Sequence, residues 1–150
     1  MRVTGMILSV ALIVLGLVQP SAAKQKLAGP YTFELLKVID GDTFRARVHV
    51  WLGQSVEVKV RLKGVDTPEM NGKCAAEKKL ARQAKAFAEN WLKENPAQLV
   101  DVHYGTYAGR VLASVQIRGA PNTAGKSLSA ALLAENLAKP YKGRRARWCA

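Results

Sequence analysis

The chain has 150 residues, the size of one ordinary domain, and 49% of them are hydrophobic, which excludes a disordered polar chain. Lys and Arg number 23 against 11 Asp and Glu, for a formal net charge of +12, so acids are scarce and their positions are informative. Two Cys and two His are too few for a zinc-ribbon array or a dense disulfide scaffold, and no apolar run is long enough for a standard membrane span.

The N-terminal residues are typical of a secretory signal peptide. Arg2 precedes a short apolar stretch, Met6 to Val18, and small residues follow up to Ala23. We expect residues 1–23 to be removed near Ala23, leaving a single domain over 24–150 in the periplasm or outside the cell. The alternatives are an uncleaved anchor and a buried strand.

Three strands are predicted next, over Tyr31–Ile39, Thr43–Val50 and Val56–Lys63. The second and third alternate apolar with polar residues, which is typical of strands that bury one face on a core. The predicted inner faces comprise Phe44, Ala46, Val48 and Val50 on one strand and Val56, Val58, Val60 and Leu62 on the other.

A helix, two strands and a second helix complete the predicted elements. Apolar residues recur at three- and four-residue steps over Glu77–Glu94, and Pro96 ends that helix. Leu99–His103 and Arg110–Ile117 are predicted strands, and Ser127 caps a helix running to about Ala138. This order predicts a mainly β fold with α (α+β), a five-stranded OB-type barrel with two or three helices.

Three of the four Asp residues fall in two short loop-like motifs, Asp40-Gly41-Asp42-Thr43 and Asp66-Thr67-Pro68-Glu69. Each motif alone is as well explained by a turn. If both loops meet at one end of the barrel, Asp42 and Asp66 bind one hard divalent cation, Ca²⁺ or Mg²⁺. Glu69 then acts as a base on nearby water.

Two arginines are candidates for binding phosphate beside this site. Arg61 lies on the polar face of the strand that precedes Asp66, and Arg110 begins the strand after Gly109. Guanidinium groups bind phosphate in a bidentate manner and stay charged, so both suit a phosphodiester and its transition state. The alternative for either is a solvated surface charge.

Cys74 and Cys149 are the only cysteines, and an oxidising compartment favours a disulfide between them. The alternative is a zinc site with His49 and His103, although no zinc-ligand spacing supports it. The basic tail, residues 142–148, either binds phosphates nonspecifically or is a solvated end held by that disulfide.

Three segments together resemble the staphylococcal-nuclease-like family, the thermonucleases, over roughly residues 31 to 141. They are Val38 to Thr43, Arg61 to Glu69 and Gly109 to Ala113. The resemblance implies an OB barrel and a Ca²⁺-dependent, sugar-nonspecific endonuclease. Such an enzyme hydrolyses DNA and RNA at the P–O5′ bond and leaves 3′-phosphate ends. The loop before Gly109 departs from the family pattern, because Ala108 intervenes where the family often has Tyr.

The resemblance also implies a role for individual residues. For one Ca²⁺ ion, it implies carboxylate ligands at Asp42 and Asp66, a backbone-carbonyl ligand at Thr67 and an outer-sphere acid at Asp40.

For catalysis, it implies that Glu69 is the general base and that Arg61 and Arg110 bind the phosphate and stabilise the transition state. Tyr141 is similar to a nucleotide-stacking Tyr. The expected partners are DNA and RNA, with no stable membrane partner and a monomeric protein.

Three other functions compete with this hypothesis. One is a catalytically inactive, exported OB module that binds nucleic acid through its charge. Another is a metal-free ribonuclease that uses His49 and His103 as acid and base. The last is a cationic membrane-active protein, for which no basic amphipathic segment is visible beyond the tail.

Overall fold

The computed structural model describes residues 25–105, 109–119 and 126–149, so the predicted signal peptide lies outside the described residues. The elements in chain order are β1 (Lys26–Leu27), β2 (Tyr31–Asp40), β3 (Thr43–Trp51), β4 (Gln54–Leu62), β5 (Val65–Asp66), α1 (Ala75–Glu94), β6 (Ala97–Tyr104), β7 (Arg110–Ile117), α2 (Leu128–Ala134) and β8 (Lys139–Pro140).

Five of these strands close into a barrel in the order β2, β3, β4, β7, β6 and back to β2. The pairs are antiparallel except for β4 and β7, which run parallel because α1 and β6 intervene between them along the chain. The α+β OB-type barrel is therefore confirmed, with two helices in the part of the chain that the structure describes.

Alternation along β3 and β4 builds much of the barrel interior. Phe44, Ala46, Val60 and Leu62 are all buried, as predicted. The prediction was wrong at the other end of the same faces, where Val50 is 40% exposed and Val56 is 46% exposed. The hairpin between the two strands extends beyond the barrel, so alternation continues there without a core to cover it.

Helix α1 packs small residues against the barrel. Cys74 is its N-cap, and the helix begins two residues before the predicted start. Ala84 and Ala88 are buried. A Cβ added to Gly41 would lie 2.7 Å from the Ala84 Cβ, so glycine allows the turn between β2 and β3 to touch the helix.

Helix α2 is shorter than predicted. Ser127 caps it as expected, by accepting from the Ala130 N–H, but the helix ends at Ala134. Asn136 adopts a positive φ of 57°, a left-handed conformation that no helix continues through. The chain then forms β8, which pairs with β5 and brings the C-terminal residues to Asp66.

Candidate active site

The two acidic loops meet at one end of the barrel, which is the condition on which the expected cation site depends. Thr43 at the start of β3 is paired with Arg61 near the end of β4. The Leu62 N–H donates to the Asp42 carbonyl at 2.8 Å. The Thr67 N–H donates to Asp42 Oδ2 at 3.1 Å. The first loop therefore lies directly against the second.

Asp42 and Asp66 share one guanidinium group. Arg61 Nη1 donates to Asp42 Oδ1 at 2.5 Å, and Arg61 Nη2 donates to Asp66 Oδ1 at 3.3 Å. Each acid is only 2% exposed. Two buried carboxylates repel each other and lose hydration, and the guanidinium group between them offsets both costs.

Asp42 is held on both of its oxygens. Oδ1 also accepts from the Thr43 hydroxyl at 2.9 Å, while Oδ2 accepts from Thr67. Thr67 is itself 2% exposed. These contacts set the orientation of the Asp42 carboxylate before any ligand arrives.

Asp40 carries the clearest electrostatic signature of the site. The pKa of Asp40 is raised to about 7. Burial is the largest cause, the nearby charge of Asp42 is the next, and Glu69 makes a smaller contribution. The Asp42 N–H donates to Asp40 Oδ1 at 3.2 Å and opposes the rise only in part. Burial and a neighbouring carboxylate therefore both disfavour the charged form of Asp40.

Glu69 lies at the rim of this cluster. Its side chain is 42% exposed, and its Oε1 is 3.8 Å from Arg145 Nε. Its N–H donates to Glu77 Oε1 at 3.4 Å, which fixes the backbone after the buried Pro68. The side chain is therefore accessible to solvent while its backbone is held.

Arg110 begins β7 at the residue predicted. It is in register with Lys59, and Leu112 is in register with Arg61. Arg110 is therefore displaced from Arg61 by two residues, about 7 Å along the strands, and by one spacing between strands, about 4.8 Å. Alternation places Arg61 and Arg110 on the barrel's outer face, opposite the buried Leu62 and Ala113.

Tyr141 lies beside the site, directly after β8. Its N–H donates to the Gly64 carbonyl at 2.9 Å, and the residue is 48% exposed. The backbone is thus held next to β5, while part of the ring is open to solvent.

The C-terminal residues contact the candidate site, which the sequence did not reveal. Asp66 Oδ2 accepts from the Ala146 N–H at 3.1 Å and from the Trp148 indole at 3.2 Å. Cys149 forms the predicted disulfide with Cys74, with Cα atoms 6.1 Å apart. The tail is therefore held by the disulfide, and part of it also bonds an acid of the site.

Glu77 is a second residue that sequence reasoning missed. It is 4% exposed and accepts from Arg145 Nη2 at 2.5 Å and from the Lys73 N–H at 2.9 Å. Its position three residues after the N-cap Cys74 matches a capping box, which was the available signal. Glu77 joins the second acidic loop, the start of α1 and the tail.

The alternatives that use the cysteines and histidines find no support. Ligand atoms of Cys74, Glu77 and Cys149 lie within 4.8 Å of one another, but the disulfide leaves neither cysteine a thiolate for a metal. His49 is on β3 and His103 on β6, and β2 runs between these strands.

Among the described residues no helix is long and apolar enough to cross a membrane.

The donor set fits a hard divalent cation. Asp42 and Asp66 supply buried carboxylate oxygens, and Asp40 supplies a third carboxyl nearby. Oxygen donors of this kind suit Ca²⁺ or Mg²⁺. Burial and the nearby charge of Asp42 both raise the pKa of Asp40, and a dication beside these carboxyl groups would oppose the effect of the charge.

Comparison with known families agrees with this geometry. A family model described as "Staphylococcal nuclease homologue" matches residues 59–148, more than half of the chain. The chain belongs to the family of staphylococcal nuclease homologues. The match includes Arg61, Asp66, Glu69 and Arg110, whereas Asp42 lies before it and is placed by the contacts above. A comparison with curated proteins gave no match.

Proposed function

We propose that this protein is a secreted, Ca²⁺-dependent, sugar-nonspecific endonuclease that cleaves DNA and RNA to 3′-phosphate products. The observation that carries the proposal is the pair of buried carboxylates, Asp42 and Asp66, bridged by Arg61 at the barrel end where both acidic loops meet. Family membership supports a nuclease-like activity, and the geometry supports its metal dependence.

In this proposal Asp42 and Asp66, with the Thr67 carbonyl, hold one Ca²⁺ ion, and Asp40 is an outer-sphere acid. The bound ion would neutralise charge on the scissile phosphate. Arg61 uses two of its five N–H donors on the acids, so the others remain for a phosphate oxygen.

Arg110 supplies a second guanidinium on the same outer face of the barrel, close enough for both to bind one phosphodiester. Glu69, partly exposed at the rim, accepts a proton from the attacking water. The partly exposed ring of Tyr141 stacks on a nucleotide beside the site.

Substrate attraction is supported by the basic residues next to the site. A cavity of about 620 Å³ lies along the C-terminal residues, and its walls carry five cations. The exposed cations attract a polyanion from a distance and bind its phosphates without reading sequence. The five are Lys139, Lys142, Arg144, Arg145 and Arg147.

Export, processing and assembly belong to the same proposal. Residues 1–23 would be removed as a signal peptide, and the single domain over 24–150 would act in the periplasm or outside the cell as a monomer. The Cys74–Cys149 disulfide supports an oxidising compartment.

The test is degradation of single- and double-stranded DNA and of RNA by the disulfide-oxidised protein, with Ca²⁺, with Mg²⁺ and with EDTA. We expect cleavage of all three substrates with Ca²⁺, products with 3′-phosphate ends and no cleavage in EDTA. Arg110→Ala should lose most of the rate, while Arg118→Ala controls for the loss of one positive charge elsewhere. Salt-sensitive binding without cleavage under any metal would instead identify an inactive nucleic-acid-binding module.

A further inference from the structure

The outer oxygen of Asp66 faces the C-terminal strap, which we define as Arg144–Cys149. Asp66 Oδ1 faces Arg61, on the side of Asp42, while Oδ2 accepts two hydrogen bonds from the strap. The Ala146 N–H and the Trp148 indole are the donors. A carboxylate bound in this way has one oxygen fixed by protein and the other directed at the candidate metal site.

The strap is anchored at several points that are independent of Asp66. Cys149 is bonded to Cys74, the N-cap of α1. Arg145 pairs with the buried Glu77 in the first turn of the same helix. These anchors hold the two donors in place, so Asp66 does not have to order the strap itself.

Lys139 adds two further contacts. Its Nζ donates to the Arg147 carbonyl at 2.7 Å and lies 4.5 Å from the centroid of the Trp148 ring. The indole is therefore held by a cation over its ring as well as by its N–H on Asp66. The orientation of Trp148 is set from two directions.

We propose that the C-terminal strap is a positioning element for the metal-binding carboxylate, and that Trp148 is its main positioning residue. This inference rests on the proposed function, because it assigns the strap to the same Ca²⁺ site. Two hydrogen bonds on Oδ2 prevent the carboxylate from rotating away, so Oδ1 stays directed at the ion. The disulfide makes this arrangement dependent on an oxidising environment.

The opposite role, a strap that covers Asp66 and inhibits metal binding, predicts the opposite result. Removing a positioning element weakens Ca²⁺ binding, whereas removing an inhibitor strengthens it. A strap that only stabilises the fold would change the unfolding midpoint of the metal-free protein and leave the Ca²⁺ dissociation constant unchanged.

The first experiment is calorimetric titration of Ca²⁺ into the disulfide-oxidised wild type and its Trp148→Phe variant. Phenylalanine keeps an aromatic ring near Lys139 but lacks the N–H that bonds Asp66. We expect the Ca²⁺ dissociation constant to rise about tenfold, the size of one hydrogen bond to a charged group. Trp51→Phe, at a tryptophan that is 73% exposed on the far hairpin, is the matched control and should bind like the wild type.

The second experiment removes the anchor with Cys74→Ser and Cys149→Ser together. We expect a Ca²⁺ dissociation constant raised at least as much as by Trp148→Phe, measured at a temperature where circular dichroism shows the variant folded. A dithiothreitol-treated wild type should reproduce the effect. An unchanged or smaller dissociation constant in Trp148→Phe would overturn the positioning role, whatever the double variant shows.

Ca²⁺ binding and DNA cleavage, measured on the same two proteins, distinguish a failure of the positioning role from a failure of the proposed nuclease activity. If the wild type cleaves DNA with Ca²⁺ and Trp148→Phe binds the ion equally well, only the positioning role is wrong. If the wild type binds Ca²⁺ and Trp148→Phe binds it more weakly but neither cleaves, only the nuclease is wrong. If the wild type does not bind Ca²⁺ at all, both are wrong.

Discussion

The two ends of β3 show how one strand serves two different purposes. At its start, Thr43 and the preceding Asp42 are buried polar residues whose side chains are hydrogen-bonded to neighbouring groups. At its other end, Trp51 and Leu52 are apolar and 73% and 88% exposed. The strand thus buries charge where chemistry is proposed and exposes apolar surface where the hairpin leaves the barrel.

Whether a side chain at either end of β3 is buried therefore depends on the elements that pack against it and not on the pattern of the strand. The acidic end is covered by α1, by the second acidic loop and by the strap, and the loop and the strap supply donors to the acids. Burial of an acid is tolerated there because its oxygens are bonded. The hairpin end is not covered in this way among the described residues, so its apolar side chains remain exposed.

The largest expected effect comes from Glu69, the proposed general base at the acidic end. Glu69→Gln should lower the rate of DNA cleavage by roughly 10²–10⁴-fold, because the amide cannot accept the proton from water. The Glu69 side chain is 42% exposed, so stability should change by no more than about 0.5 kcal/mol. Single-turnover cleavage and urea denaturation measure the two effects separately.

The matched control for this prediction is Glu57→Gln. Its side chain is 53% exposed on β4 and pairs with Arg47, on the outer face away from the acidic loops. It should keep the wild-type rate. A comparable loss of cleavage in both variants would mean that charge alone, and not a base at Glu69, controls the rate.

The next effect tests Phe44, the second residue of β3, where the core begins. Phe44 is 1% exposed and its ring lies 5.6 Å from that of Phe33. Phe44→Ala should lower the free energy of unfolding by about 3–5 kcal/mol, through lost burial and the cavity left behind. Chemical denaturation with a fitted slope measures it. A loss below about 1 kcal/mol would show that Phe44 is not part of a well-packed core.

A pH effect of up to about 4 kcal/mol is expected at Asp40, at about 1.4 kcal/mol per pKa unit. Its carboxyl has an unfolded pKa near 3.8 and a folded pKa of about 7, so ionisation destabilises the fold increasingly as pH rises between these values. Asp40→Asn removes this cost but can still accept from the Asp42 N–H. In EDTA the variant should therefore be more stable than the wild type at pH 8 and similar to it at pH 4.

Glu89→Gln is the control for the pH prediction, because Glu89 is on α1 and pairs only with its helical neighbour Lys93 in the contacts described. Its effect should stay within a few tenths of a kcal/mol at both pH values. Equal stabilisation by Asp40→Asn at pH 4 and pH 8 would contradict the raised pKa.

The smallest effect is expected at the hairpin. Trp51→Ala should change the free energy of unfolding by no more than about 0.5 kcal/mol and leave cleavage unchanged, because the side chain is mostly exposed. Thermal unfolding and the same cleavage assay measure this. A loss of activity here would show that the two ends of β3 are not functionally separate.

Local sequence patterns predicted those helices and strands whose positions depend on alternation, helical periodicity or a capping residue. Alternation located β3 and β4, helical periodicity with Pro96 located α1, and Ser127 marked the start of α2. Alternation did not show where the barrel ends, so Val50 was wrongly assigned to the core. The end of α2 depends on a left-handed Asn136, which the apolar pattern did not reveal.

The sequence predicted the acids of the candidate site, but it did not predict the C-terminal groups that donate hydrogen bonds to them. Rare Asp residues in two turn motifs of a basic chain indicated Asp42 and Asp66, and the strand order brought them together. The bond from Trp148 to Asp66 joins residues separated by 82 positions, so no local pattern contains it. Only the disulfide, which fixes the neighbouring Cys149 near α1, pointed towards that contact.

The most direct test of the account is the rate of single-stranded DNA cleavage as a function of Ca²⁺ concentration, for the wild type and for Asp42→Asn. We expect a saturable Ca²⁺ dependence in the wild type. In Asp42→Asn we expect a half-saturating concentration at least about tenfold higher, together with a lower maximal rate. Cleavage by the wild type in EDTA, or identical Ca²⁺ curves for the two proteins, would contradict it.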